Sequence, residues 1–220
     1  MEIEFYKSCK NGKVEQVREL LQNSQININW RNEYNFGSIS ETPFYIACQE
    51  GHIEIVKLLL NDQRVDINQP DDYVSTPFYI ACQQGHIEIV EILLNDERVD
   101  INKSTNDGQT PFYVACYKGH IEIVKLLLND QRVDINQADE CGWTPFYTAC
   151  HQENIEIVKL LLNDKRMDIN NANEYDETPF HIACCKGYIE IVEHMLAHEK
   201  EVNLRAKDSE GRTALEKKEK

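Results

Sequence analysis

TPFYIACQ, Thr42 to Gln49, returns as TPFYIACQ at Thr76, TPFYVACY at Thr110, TPFYTACH at Thr144 and TPFHIACC at Thr178. The step is thirty-four residues each time, and each copy carries a cysteine at the same place: Cys48, Cys82, Cys116, Cys150 and Cys184. Between Thr42–Asn68 and Thr76–Asn102, twenty-three of twenty-seven positions are identical. A fixed period of this length means an array of supersecondary units, each unable to bury its apolar face without a neighbour.

The chemistry of one copy predicts its shape. Thr42 is a helix N-cap candidate, and Pro43 sits at the first helical position, where its missing N–H leaves nothing unsatisfied. Phe44, Ala47 and Cys48 follow at i, i+3 and i+4 as one apolar stripe, and Gly51 breaks the helix, as Gly85, Gly119 and Gly187 do in their copies. Ile53, Val56 and Leu60 mark a second helix, widened by Ile55 and Leu59. NDQRVDIN (61–68) ends it, and a polar connection leads to the next Thr-Pro.

The pattern TPFYIACQEGHIEIVKLLL closely resembles the ankyrin repeat, whose hallmark begins T-P-L-H-x-A and continues G-H-x-E-I-V-x-x-L-L. The resemblance covers almost the whole chain and implies an all-α ankyrin-repeat solenoid of stacked helix–turn–helix units with hairpin-like loops. The frame divides the chain into a polar N-terminal cap at 1–36, repeats at 37–70, 71–104, 105–138, 139–172 and 173–207, and a partial C-terminal cap at 208–220. Two departures stand out. The family's histidine, which ties neighbouring turns by hydrogen bonds, is Tyr45, Tyr79, Tyr113 and Tyr147 here, with only His181 keeping it, so that network is in doubt in four copies. The period is also one residue longer than the family's usual ~33. The connection from the N-terminal cap to Thr42 is longer than the others and carries Trp30, Tyr34 and Phe36, too aromatic for a simple spacer.

Thirty-eight acidic against twenty-three basic residues give a formal net charge of −15, which repels phosphate backbones and argues against nucleic acid as a partner. No stretch approaches the ~18 apolar residues of a membrane span. Eight cysteines without a secretory signal point to free thiols in the cytoplasm or nucleus. Neighbouring helices pack about 8–10 Å apart, whereas a disulfide needs Cα atoms about 4.4–6.8 Å apart. The cysteine ladder is therefore expected to fill gaps between units as small hydrophobes, with Cys141 and Cys185 as exposed thiols. It supplies one ligand per unit and no C-x-x-C pair, so no metal or other cofactor is expected. No nucleophile elbow, phosphate loop or HExxH occurs, and the repeated His52, His86 and His120 are copied too often to be catalytic. No enzyme is expected.

The resemblance implies a protein partner bound in a concave groove formed by hairpin tips and the solvent side of first helices. Carried over position by position, that surface comprises Asp72, Tyr73 and Ser75 with Gln83 and Gln84, then Asp107 and Gln109 with Tyr117 and Lys118. It continues with Glu140 and Trp143, His151 and Gln152, then Tyr175, Glu177 and Lys186. These positions are rewritten in every copy while Ile53–Leu60 barely changes. Tyr73, Tyr117, Trp143 and Tyr175 place interface-forming aromatics along the row. Twelve acidic side chains, Asp71, Asp139 and Asp208 among them, stand against six basic ones, so the expected partner carries a basic, partly apolar segment and docks mainly over residues 71–152 of a monomer. The competing readings are a structural spacer or assembly subunit, and a recruiting subunit of a partner enzyme. In some ankyrin proteins the loop asparagine is hydroxylated, which makes Asn68, Asn102, Asn136 and Asn170 candidate substrates.

Overall fold

The computed structural model describes residues 1–32, 40–198 and 201–217. Tyr34 and Phe36 lie outside the described residues, whereas Trp30 stands edge-on to Tyr6 with ring centroids 6.2 Å apart. Among the described residues there are twelve α-helices and no strand, the all-α repeat architecture the periodicity implies.

The chain falls into two compact units, 1–106 and 107–220. The first holds α1 (Glu2–Lys10), α2 (Val14–Leu21), α3 (Pro43–Gln49), α4 (Ile53–Leu60), α5 (Pro77–Gln84) and α6 (Ile87–Leu94). The second holds α7 (Pro111–Lys118), α8 (Ile121–Asn129), α9 (Pro145–His151), α10 (Ile155–Asn163), α11 (Pro179–Lys186) and α12 (Ile189–Ala197). In both, the first helix of a repeat packs on the first helix of the next, α1 on α3 on α5 and α7 on α9 on α11. The second helices form a parallel row, α2 with α4 with α6 and α8 with α10 with α12.

Local chemistry sets these boundaries. The Thr42, Thr76, Thr110 and Thr144 hydroxyls accept the N–H of the tyrosine three residues on, at 3.0–3.1 Å, and proline opens each helix. Gly51 sits at φ 77°, and a Cβ there would lie 2.7 Å from the His86 ring, so both backbone and packing demand glycine. In the 139–172 repeat the same bend is made by Glu153 at φ 58°, without that freedom.

Hairpin tips need a left-handed residue too, supplied by Gly108, Gly142 and Gly211 but by Val74 at φ 63° and Asp176 at φ 58°. A left-handed β-branched residue costs roughly 1–2 kcal/mol. Val74→Gly is therefore expected to raise the unfolding free energy by about 1 kcal/mol, net of glycine's greater unfolded-state entropy. A chemical melt showing no gain would mean that Val74 packing offsets the strain.

The repeated apolar positions form the core. Phe44, Phe78, Phe112, Phe146 and Phe180 are at most 2% exposed. Cys48, Cys82, Cys116 and Cys150 are fully buried free thiols, and burial pushes their pKa values up, away from the reactive thiolate. Cys9 is a further buried rung in the N-terminal cap, its thiol raised by burial to about 12. The ladder is packing. Cys184 departs from it, being only half-buried. Cys141 is exposed, as expected, while Cys185 is half-buried.

Candidate functional site

The hairpin tips are built alike. In each of three tips a leading carboxylate, Asp71, Asp139 or Asp208, accepts the N–H groups two and four residues on at 2.8–3.0 Å. Asn173 does the same for Tyr175 and Glu177. These are Asx turns, which lock a loop through its own backbone. Consecutive tips are then joined main chain to main chain: Asn106 N–H donates to Tyr73 O, Glu140 to Asp107 O, Glu174 to Cys141 O and Ser209 to Tyr175 O, at 2.9–3.1 Å.

The tyrosines that replace the family's histidine rebuild a tie between turns in another form. Tyr45 and Tyr113 donate their hydroxyls to the Asp71 and Asp139 carboxylates, both at 3.0 Å, and Tyr147 donates to Glu177 at 3.1 Å. Burial, foremost, raises all three phenol pKa values, Tyr147 to about 12. His181 instead completes a capping box with Thr178 and reaches Arg212 O at 3.3 Å.

Further side chains bind each repeat to the next. His52 and His86 contact the Lys10 and Gln49 carbonyls at 2.9 and 2.8 Å, and Asn154 donates to Cys116 O at 2.8 Å. The asparagines of the VDIN segment act through both ends of the amide. Asn68 donates to Arg98 O and accepts from Asp100 N–H, and Asn136 does so with Arg166 and Asp168, at 2.7–2.9 Å. In NDQRVDIN, the Asp62–Arg64 pair and its copies Asp96–Arg98 and Asp164–Arg166 turn the guanidinium onto carbonyls of the preceding second helix: Leu21, Leu60 and Leu128. A cation at a helix C-terminus also complements the helix dipole. The Arg hydrogen bonds hold the Asp62 and Asp96 carboxyls below the usual range.

Not all predicted site residues face solvent. In the first unit Tyr73 is 59% exposed and Asp72 and Gln84 are exposed, while Gln83 is half-buried. Ser75 is buried, because its N–H closes the Asx turn on Asp71. Asp72 is engaged as well: it accepts from Arg31 at 2.6 Å and from Ser40 N–H at 2.8 Å, pinning the first connection. The Ser40 backbone bond, foremost, lowers its pKa.

In the second unit Asp107, Lys118, Glu140 and Lys186 are exposed, and Tyr117 and Tyr175 are 40% and 53% exposed. Gln109, His151, Gln152 and Glu177 are half-buried. Trp143 is half-buried too, against the expectation of a solvent-facing ring. It lies on Tyr147 and His151, each 5.4 Å between centroids, with its indole Nε1 buried and unpaired. Burial, foremost, lowers the His151 pKa. The acidic row is thinner than the count implied, since Asp71 and Asp208 are buried inside their turns. Sequence reading missed the Tyr147–Glu177 bond and Lys217, whose Nζ donates to Glu177. The signal was available as a tyrosine in TPFY facing an acidic tip residue thirty positions on. Among the described residues no group of three His, Cys, Asp or Glu side chains could hold a metal, and no helix is long and apolar enough to cross a membrane.

A family model described as ankyrin repeats (three copies) matches residues 5–71, 63–139 and 131–208. Among solved structures, the ankyrin repeat domain of Bcl-3, a unique member of the IkappaB protein family, superposes with a TM-score of 0.84 at 21% identity, over 97% of this chain and 92% of that one. The ankyrin repeat protein EF0377 superposes with a TM-score of 0.79 at 29% identity, over 90% of this chain and 99% of that one. No curated protein matches the sequence.

Proposed function

The chain belongs to the ankyrin-repeat family, and from that footing we propose that it is a non-catalytic protein–protein interaction module. It binds through hairpin tips and the solvent side of first helices: Tyr73 and Gln84 in the first unit, and Asp107, Tyr117, Lys118, Glu140, Tyr175 and Lys186 in the second. The half-buried Gln83, Gln109, His151, Gln152 and Glu177 border these positions. The partner presents a basic, partly apolar segment, in a reducing compartment where the thiols stay free.

One observation carries the reading. The scaffold tyrosines Tyr45, Tyr79, Tyr113 and Tyr147 are 2–3% exposed, whereas Tyr73, Tyr117 and Tyr175 are 40–59% exposed. Among the described residues the exposed tyrosines, Tyr73, Tyr117 and Tyr175, all lie on the rewritten positions. Exposed tyrosines are favoured interface anchors, with a large rigid face and a polar tip.

The test is an affinity capture from host lysate by the parent and by a variant carrying Tyr73→Ala, Tyr117→Ala and Tyr175→Ala. Trp143 is left intact because it packs on Tyr147. A captured partner is expected to bind the variant at least about tenfold more weakly, by removal of anchors worth more than 1 kcal/mol each. Equal capture by a folded variant would sink the proposal.

A further inference from the structure

The first and last helix pairs of the series are finished differently. In the N-terminal cap Gln16 and Glu19 stand where Ile55 and Leu58 stand in the next repeat, so α2 is polar where its copies are apolar, as a terminal unit in water requires. The last second helix, α12, keeps the apolar set: Ile189, Val192 and Leu196 fall at i, i+3 and i+7, one stripe along the helix. In earlier copies that stripe is covered. Val56, Val90, Val124 and Val158 are fully buried, Leu60 and Leu162 are buried, and Leu94 and Leu128 are half-buried. On α12 Val192 is only half-buried and Leu196 is 53% exposed. Ile189 is 71% exposed, against 46% at most for Ile53, Ile87, Ile121 and Ile155. Among the described residues no second helix follows α12.

A second observation marks the same face. A Cβ on Gly12 or Gly51 would lie 2.8 or 2.7 Å from the ring of His52 or His86, the histidine that opens the next second helix. On Gly119 it would lie 3.1 Å from Asn154, and on Gly187 it would meet nothing within 4 Å among the described residues. We propose that Gly187 and the Ile189–Val192–Leu196 stripe form a docking face for an amphipathic helix of a partner protein, one that opens on a histidine and carries lysine or arginine two residues on. This surface does not rest on the tip reading above. The histidine ring lies on Gly187 and reaches the Cys185 carbonyl, as His86 lies on Gly51 and reaches Gln49 O at 2.8 Å. The cation follows from charge. Lys57 reaches Glu88 of the next second helix at 3.1 Å, and Lys159 reaches Glu190 at 3.2 Å. At the position of those lysines α12 presents Glu193, which is exposed, so a helix laid on it pairs best with a cation where Glu88 stands. The chain's own second helices carry Glu15, Glu54, Glu88, Glu122 and Glu156 there. Like charge thus disfavours a second copy without forbidding it, since Glu91 makes the same exchange within the chain.

The experiment titrates an acetylated and amidated peptide of residues 119–131 carrying Glu122→Lys into the 15N-labelled full chain to millimolar concentration, read by amide chemical shifts. The unsubstituted peptide is run beside it. Shifts centred on α12 are expected, with the Glu122→Lys peptide bound about fivefold more tightly than the unsubstituted one. Glu193→Lys in the protein is expected to reverse that preference. Leu196→Asp, at an exposed site, is expected to weaken both peptides at least about tenfold. Adding His120→Ala to the peptide is expected to weaken it about fivefold. No shift on α12, binding that survives Leu196→Asp, or a preference that Glu193→Lys leaves unchanged would overturn the proposal. Sedimentation over a concentration series completes the test: a parent dimer dispersed by Leu196→Asp would give the face to a second copy and overturn the proposal as well.

Discussion

Phe146→Ala is expected to lower the unfolding free energy by about 3–5 kcal/mol, the range for truncating a buried aromatic side chain. Phe146 is fully buried in α9, between α7 and α11, so the lost ring leaves a cavity bordered by two neighbouring first helices. In a repeat array such a cavity weakens both the repeat's own stability and its interfaces, so unfolding should become broader as well as earlier. Leu215 provides the control because it occupies the same position in the repeat frame while remaining 78% exposed. Leu215→Ala should stay within about 0.5 kcal/mol of the parent, as surface substitutions usually do. Paired guanidinium melts measure both. Equal effects at 146 and 215 would mean that repeat position, and not burial, sets the energy.

Asn136→Ala is expected to cost about 1–2 kcal/mol, although the side chain is small and only half-buried. Removing the amide strands two backbone groups of the next repeat at once: the Arg166 carbonyl, held at 2.8 Å, and the Asp168 N–H, held at 2.9 Å. A polar group left unsatisfied costs roughly 1–3 kcal/mol when buried and less where water reaches it. Asn136→Asp separates the two contributions, since a carboxylate still accepts from Asp168 but cannot donate to Arg166 and faces its carbonyl oxygen unfavourably. Asn171→Ala, at an exposed position, should be nearly silent. If Asn136→Ala were equally silent, water would be replacing both bonds and the asparagine would not be a structural tie.

The fold was legible because its signals are local. The Thr-Pro start, the glycine stop and the apolar spacing of each helix are decided within a few residues, and they repeat. The size of the cysteine rungs could be read the same way, since the neighbour that covers Cys116 is another copy of the unit containing it. The surface was less legible because its decisive contacts join residues far apart. Ser75 looks exposed until Asp71 folds back on its N–H, and Trp143 looks like an interface anchor until Tyr147 and His151 rise beneath it. Asp72 looks like a free charge until Arg31, forty-one positions earlier, reaches it. Glu153 gave no sign of its left-handed bend, because its residue type does not favour that conformation as glycine does. Side-chain bonds between repeats depend on register between copies, which a single period in the sequence does not reveal.

Each pair of consecutive tips shares a bond between main-chain N–H and C=O groups, and this divides the chain between inheritance and invention. A backbone bond is indifferent to the side chain above it. Tyr73, Asp107 and Cys141 can therefore supply equivalent carbonyls while presenting an aromatic ring, a carboxylate and a thiol to the outside. Selection can rewrite the outward face of one tip without retuning the next, and a duplicated repeat arrives with its couplings already in place. The near-identical copies at Thr42–Asn68 and Thr76–Asn102, flanked by unrelated tips, are what such a lineage would leave.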